Sequence, residues 1–389
     1  KRKLMKLFFK IFILLSLSFP FSSFGQTIVH ATEFPGKLIK DTKVSSFILN
    51  SKAMNPSKLN SYAKTVNAVF NEMYSSKELN PPQGFDARIA YFGTINLLKE
   101  KIPYGTIRSY FRYLVKSAGT VKTSQDGADL NFELNDQQAF FDQIGNFWEE
   151  CYKLKFPLFF EQLPVTDSTP DYLEINFKYY GFPFTSNNVT GSPIRIITAN
   201  NKPLLVPLTR KEFLEFLIAR EKRRIKENEE LIADEKKQIN ETKKEIEDPL
   251  FKSAKETLEK SIPTMQQQIE KLGSKNLSLQ TKIGDLNSMI KNMTPTEASS
   301  AARLDENKPS EEIFGLEQLV PAGRKEGVML TKVNPDYYNF SANAPAVQLI
   351  TVYYSWPTGI TSSDPDYLQK TTMEIFRNLD YHRLKESMK

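Results

Sequence analysis

Carboxylates are the side chains of this sequence best supplied for chemistry. Glu149, Glu150 and Glu161 lie among aromatic residues, where an apolar setting raises a carboxyl pKa. A protonated acid beside an ionised one is the pair that glycoside hydrolysis uses; ordinary surface acids give the same pattern. Asp126, Asp129, Asn131 and Glu133 bring four oxygen-bearing side chains together. Their spacing is not that of a calcium loop, and alternation with Leu130, Phe132 and Leu134 reads as a half-buried strand. The sequence holds two histidines, His30 and His382, too few for a zinc site built from several His or Cys ligands. A Ser–His–Asp arrangement would depend on one of them. Cys151 is the single cysteine; it sits in an apolar helical pattern and reads as a buried thiol. No phosphate-binding loop or dinucleotide glycine pattern occurs. The sequence therefore assigns no catalytic, cofactor-binding or metal-binding residue and implies no cofactor.

The elements around these residues divide the chain into a mixed region over 26–208, a charged heptad segment over 209–293, a polar linker over 294–312 and a second mixed segment over 313–389. Asn55-Pro56-Ser57 is a helix start, and Leu59, Tyr62, Ala63, Val66, Phe70 and Met73 mark one helical face. A weaker helical pattern spans Thr106 to Ser117. Asn135 or Asp136 is expected to cap a helix carrying Phe140, Phe141, Ile144, Trp148, Cys151 and Tyr152. Strands are expected at 172–179, 194–198, 204–208, 327–333 and 347–356, and a last helix after Asp364-Pro365-Asp366. Pro-Asp-Tyr at 170, 335 and 365 reads as turn punctuation. In the pairs Tyr179-Tyr180 and Tyr353-Tyr354, one ring of each is expected to face a core. Without regular βα alternation the fold class is α+β, a mixed body interrupted by a long antiparallel α-helical coiled-coil hairpin, with the last segment completing the first.

The heptads carry the most information. Ile218, Ile225, Ile232, Ile239 and Ile246 recur every seven residues, then Phe251, Leu258, Met265, Leu272, Leu279, Leu286 and Met293, the spacing of a coiled-coil seam. A tip at Pro249 would set Ile246 against Phe251, Ile239 against Leu258, Ile232 against Met265, Ile225 against Leu272 and Ile218 against Leu279. Ile262, Ile269, Asn276, Ile283 and Ile290 form a second stripe on the second arm. The first arm answers it with Glu221, Asn228, Glu235 and Thr242, so one stripe is left to bind a partner or a second copy, or to be partly covered by Lys and Arg stems of the same hairpin. Burying four isoleucines yields roughly 6–12 kcal/mol against an association cost of about 4–15 kcal/mol, so the stripe alone is marginal. The apolar cluster Phe213, Leu214, Phe216, Leu217 and Ile218 is expected to root the hairpin in the body.

Lys1 to Lys6, an apolar run from Ile11 to Phe19 and the small residues Ser23 and Gly25 form a signal-peptide pattern, with cleavage between Gly25 and Gln26. The run is about half the length of a membrane span. The whole sequence has 52 Lys and Arg against 46 Asp and Glu. Five of the basic residues lie in this leader, so the remainder is close to neutral and offers no charge argument for nucleic acid.

Met5-Lys6-Leu7-Phe8-Phe9 through Phe24-Gly25-Gln26 resembles leaders of exported Bacteroidota proteins. Asn80-Pro81-Pro82-Gln83-Gly84-Phe85, Pro207 to Leu214 and Asn334-Pro335-Asp336-Tyr337 resemble segments of uncharacterised exported proteins of that group. The resemblance implies export and no activity. The expectation is a periplasmic or secreted, non-catalytic envelope protein. It would use a projecting hairpin for self-assembly or partner binding, without nucleic acid and without a transmembrane span in the mature chain. The competing expectation is a carboxylate-dependent hydrolase with the hairpin as lid or oligomerisation arm.

Overall fold

Asn55 accepts a hydrogen bond from the Ser57 amide at 2.8 Å, and Pro56 occupies the first helical turn, where its missing N–H costs nothing. Helix α1 (Pro56–Ser75) follows and buries the six residues of the expected face. A computed structural model describes residues 29–41, 48, 55–98, 102–117, 119–136, 147–178, 190–199, 202–310, 312, 314–341, 343–355 and 366–389. The leader with Gly25 and Gln26, the expected helix face at Phe140, Phe141 and Ile144, and Tyr179-Tyr180 lie outside them.

The fold is mixed, with a large sheet, a smaller one, seven α-helices among the described residues and a long helical hairpin. Strands β1 (Val29–His30), β2 (Leu38–Lys40), β3 (Phe85–Leu98), β4 (Ile102–Ser117) and β5 (Thr120–Leu134) open the large sheet. Helix α2 (Phe147–Lys153) and strands β6 (Phe159–Glu161), β7 (Val165–Ser168), β8 (Leu173–Lys178), β9 (Thr190–Thr198) and β10 (Leu205–Pro207) follow. After the hairpin come α5 (Pro295–Ser299), β11 (Arg303–Leu304), β12 (Val328–Val333), β13 (Leu349–Ser355), α6 (Tyr367–Asn378) and α7 (Tyr381–Ser387). The large sheet runs β2-β3-β4-β5-β13-β9-β8-β7, with β1 also on β4; β10, β11 and β6 pair with β12. Strand β13, from beyond the hairpin, is inserted between β5 and β9.

Segment 106–117 is a strand, not the expected helix. Ile107, Ser109, Phe111 and Tyr113 are buried, while Arg108, Tyr110 and Arg112 lie half-buried on the other face. Aromatic residues on both faces of a strand imitate a 3–4 spacing, and the pairing with β3 and β5 decides the matter. Strand β5 also departs from its expected half-buried form: Asn131 and Glu133 are 2% and 1% exposed.

One face of the large sheet packs with α1, α6 and α7 around Phe85, Phe111, Phe132 and Tyr354. On the other face β8, β9 and β13 share a second core with α2, the small sheet and the hairpin root, including Phe159, Phe216 and Tyr353. Tyr353 and Tyr354 thus both face cores. Arg195 is buried at the helical side, paired with Glu174 at 2.7 Å and lying 4.4–4.7 Å from the ring centroids of Tyr172, Phe376 and Tyr381. The rings supply the negative quadrupole face that a desolvated guanidinium needs.

Asn135 begins no described helix. Its φ is 56° and it is fully buried. Its amide group joins the start of β4 to the segment entering β13, donating to the carbonyls of Pro103 and Ala346 and accepting from the amides of Gln348 and Leu349.

Candidate functional site

Thr209 and Glu212 form a reciprocal capping box that starts α3 (Arg210–Glu247). Lys332 also pairs with Glu212, tying the helix start to β12. The first turns bury Phe213, Leu214, Phe216, Leu217 and Ile218, as expected for a rooted base. The Phe216 ring lies 4.8 Å from Phe159, 5.7 Å from Phe147 and 5.4 Å from Phe156, all edge-on, the geometry aromatic quadrupoles favour.

Above this aromatic root lies a cluster of buried charge. Arg220 and Glu221 are 2% and 0% exposed. Glu312 accepts from Arg224 and forms an ion pair with Arg220. Glu221 meets Lys282 at 2.7 Å and Arg224 at 3.2 Å, with Arg220 at 4.0 Å. Glu150 stands 4.0 Å from Arg220. Three acids and three bases from α2, both hairpin arms and the 305–316 segment thus meet at one point. Burial pushes the Glu150 carboxyl up. Burial acts the same way on Glu312, but the Arg224 hydrogen bond and the charges of Arg220, Arg224 and Lys282 outweigh it and hold that carboxyl low.

A depressed acid contributes stability in full above its unfolded pKa, near 4.3, and that contribution is lost as pH falls through the folded value. The hairpin root is therefore expected to loosen below about pH 4.3. Hydrogen exchange of the α3 root from pH 7 to 3 measures this. Glu312→Gln should flatten the acid response, and an unchanged profile would refute the assignment to Glu312. The raised Glu150 acts with opposite sign, favouring the folded root on protonation.

The arms continue as α3 and α4 (Lys255–Asn292), joined through a 3-10 turn at Pro249–Phe251. Helix α4 runs unbroken through Pro263, Gly273 and Gly284. The expected pairing of the arms is displaced by one heptad. Asn228 donates to Asn276 at 2.7 Å, which sets Ile225 level with Leu279, Ile232 with Leu272, Ile239 with Met265, Ile246 with Leu258 and Ile218 with Leu286. Ile218 and Leu286 indeed share the second core. The cause is the tip: residues 248–254 lie outside both arms, so the turn consumes a full heptad and Phe251 is not a seam residue. Asp248 closes the turn by accepting from the Leu250 amide at 2.9 Å.

This register also places the second stripe. Ile283, Asn276, Ile269 and Ile262 stand level with Glu221, Asn228, Glu235 and Thr242. The four isoleucines are half-buried, and Asn276 is buried with its side chain bonded inside the hairpin. In the stripe expected to await a partner, Asn276 bonds to the first arm, and Ile283 and Ile290 pack against the second core. Outside that stripe, exposed apolar residues of the hairpin are Leu231 (51%) and Leu277 (67%), single positions on the two arms, and the adjacent pair Leu250 (87%) and Phe251 (40%) at the tip.

The remaining sequence candidates do not assemble a reaction centre among the described residues. Glu149 pairs with Lys153 at 3.3 Å, and Glu161 sits in β6 opposite Leu330. Asp129 is held by Arg112 at 2.7 Å, Asn131 accepts from Arg108 and Glu133 accepts from the Tyr353 hydroxyl at 2.8 Å, so hydrogen-bond donors occupy these oxygens. His30 packs edge-on against Tyr113 at 4.4 Å, and His382 meets Asp171 at 3.1 Å on the surface. Cys151 is 1% exposed and its thiol is pushed up to about 12 by burial, which makes it unreactive. Among the described residues no group of three His, Cys, Asp or Glu could hold a metal, and no helix is long and apolar enough to cross a membrane. The Pro-Asp-Tyr sites are turns where described, with Asp366 capping α6.

Sequence reasoning missed the bonding role of Asn135, Arg195 and the root charges other than Glu150. Arg220-Glu221 follows an apolar run without a break in the heptad, and this was the one local signal for buried charge. Comparison with protein-family models, curated proteins and solved structures found no match.

Proposed function

We propose that this is an exported, non-catalytic envelope protein that binds a partner protein through the tip of its hairpin. The observation that carries the reading is the exposed Leu250-Phe251 pair at the end of an arm 38 residues long on each side, about 57 Å at 1.5 Å per residue. An apolar pair at that distance from either core adds nothing to the packing of the body, and large apolar side chains held in water mark interaction sites. The arms are read as an antiparallel coiled coil. Ile218 to Ile246 pack on Leu286 to Leu258, and the Asn228–Asn276 layer fixes the register at some cost in stability. The buried root charges give the arm a fixed base, which preorganises the tip for binding.

A single substitution tests both location and contact. Leu250→Cys places a reactive thiol at the tip of a chain whose own Cys151 is buried. A membrane-impermeant thiol crosslinker applied to intact cells should yield one discrete adduct with the variant and none with the unaltered chain. Reaction only after lysis would sink the export reading. Labelling in intact cells without an adduct would sink the tip reading.

A further inference from the structure

The geometry points to a binding site, separate from the hairpin, for a small carboxylate with a short aliphatic body. A cavity of roughly 270 Å³ opens where the β7–β8 turn, β9, the segment entering β10 and helix α7 meet. Its floor is apolar: Ile196, Leu204 and Leu205 line it and belong to or pack on the second core. Two lysines come to it from different elements, Lys202 ahead of β10 and Lys385 on α7.

The charge on these walls is unbalanced. Lys202 donates to the Asp336 carbonyl at 3.0 Å and Lys385 to the Pro170 carbonyl. Both partners are neutral, and among the described residues neither lysine has a carboxylate within ion-pair distance. An ammonium carries three donors, so each retains two after this bond. Asp171 also lines the cavity, and its Oδ1 is engaged by His382 at 3.1 Å. Two lysines against one aspartate leave a net positive lining.

A hollow that needed only to be filled would be lined by apolar groups throughout. Here two lysines line the cavity together with Ile196, Leu204 and Leu205, the combination that a ligand with an anionic head and an aliphatic body matches. Pockets that bind small molecules share this form, mostly apolar with a few converging polar groups. At protein-like packing the volume holds on the order of ten to fifteen non-hydrogen atoms, the size of a medium-length fatty acid or a blocked dipeptide. The two ammonium groups are point charges without the planar fork of arginine, and they can meet either oxygen of a carboxylate. Such a carboxylate could be a free short-chain acid or the C-terminus of a peptide ending in an aliphatic residue.

Isothermal titration of the full chain with octanoate, octan-1-ol and acetyl-Gly-Leu tests the site. Octanoate or acetyl-Gly-Leu should bind at a single saturable site, and whichever binds more tightly identifies the source of the carboxylate. Octan-1-ol should bind about tenfold more weakly than octanoate, the loss of a charge-assisted hydrogen bond. Lys202→Met and Lys385→Met should each weaken binding severalfold, and the double variant should abolish it while the melting temperature stays unchanged. Equal affinity for the acid and the alcohol, binding retained in the double variant, or no saturation with either carboxylate would overturn the proposal.

Discussion

Asn135→Ala is expected to destabilise the protein by at least about 4 kcal/mol, more than any other single side-chain truncation outside the aromatic cores. The Asn135 side chain has two donors and two acceptor positions, and all four are used. Its donors reach Pro103 and Ala346 at 2.7 Å each, and its oxygen accepts from Gln348 at 2.7 Å and Leu349 at 3.2 Å. Truncation strands four backbone groups, and each buried orphan costs about 1–3 kcal/mol. The backbone adds a second effect. At φ 56° alanine is strained by about 1–2 kcal/mol, whereas glycine is not. Asn135→Gly should therefore lose less than Asn135→Ala by about that difference, although it forfeits the same four bonds. Asn135→Asp should be at least as damaging as alanine at neutral pH, since it turns a carboxylate oxygen toward two carbonyls. Denaturant unfolding of the three variants ranks them, and an alanine variant within 1 kcal/mol of the parent would show that the hub is not needed.

The same residue shows where sequence reading stops. Asn135 follows a strand and precedes an apolar helical pattern, which is the grammar of a helix cap. Its actual partners sit at positions 103, 346, 348 and 349, and nothing within its own neighbourhood of the chain records them. Elements governed by local rules were legible. Helix α1 carries its cap and its face within twenty-one residues, and the last helices and most late strands are bounded by their own turn residues. Strand β4 was not, because Phe111 and Tyr113 on one face and Arg108, Tyr110 and Arg112 on the other leave no clean period of two.

The hairpin was legible as a hairpin but not in register. A seven-residue repeat maps onto itself when one arm slides by seven, so the isoleucines and leucines fit either alignment equally well. Only features that break the repeat can choose. Asn228 and Asn276 do so in the structure, and the length of the turn between Glu247 and Lys255 permits it. The root charges escaped for a related reason. Arg220, Glu221, Arg224, Lys282 and Glu312 are scattered over more than 90 positions, and each reads alone as a surface charge; of the root charges Glu150 alone stood out, by its aromatic neighbours.

Removing both cations that flank Glu221 tests register and root together. In the double variant Arg224→Ala with Lys282→Ala, the fully buried Glu221 keeps only Arg220, 4.0 Å away. A buried charge left without its partner costs about 3–5 kcal/mol, and the first arm should lose protection from hydrogen exchange along the root while β5 and β13 remain slow. A third substitution should then reverse the damage. Glu221 stands level with Ile283 in the register set by Asn228 and Asn276, so Glu221→Leu in the same background replaces the stranded charge with an apolar contact. Exchanging buried ionic groups for apolar ones of similar volume is commonly neutral or stabilising. The triple variant should therefore recover most of the lost stability, with the hairpin again protected. In the alignment displaced by one heptad, Glu221 would stand level with Asn276, and leucine there would meet an amide and recover little. Failure of the rescue would thus remove the register, and with it the reading that the isoleucine stripe is satisfied within the chain. Success would leave the adjacent Leu250 and Phe251 at the tip, with the isolated Leu231 and Leu277 on the arms, as the exposed apolar residues of the hairpin.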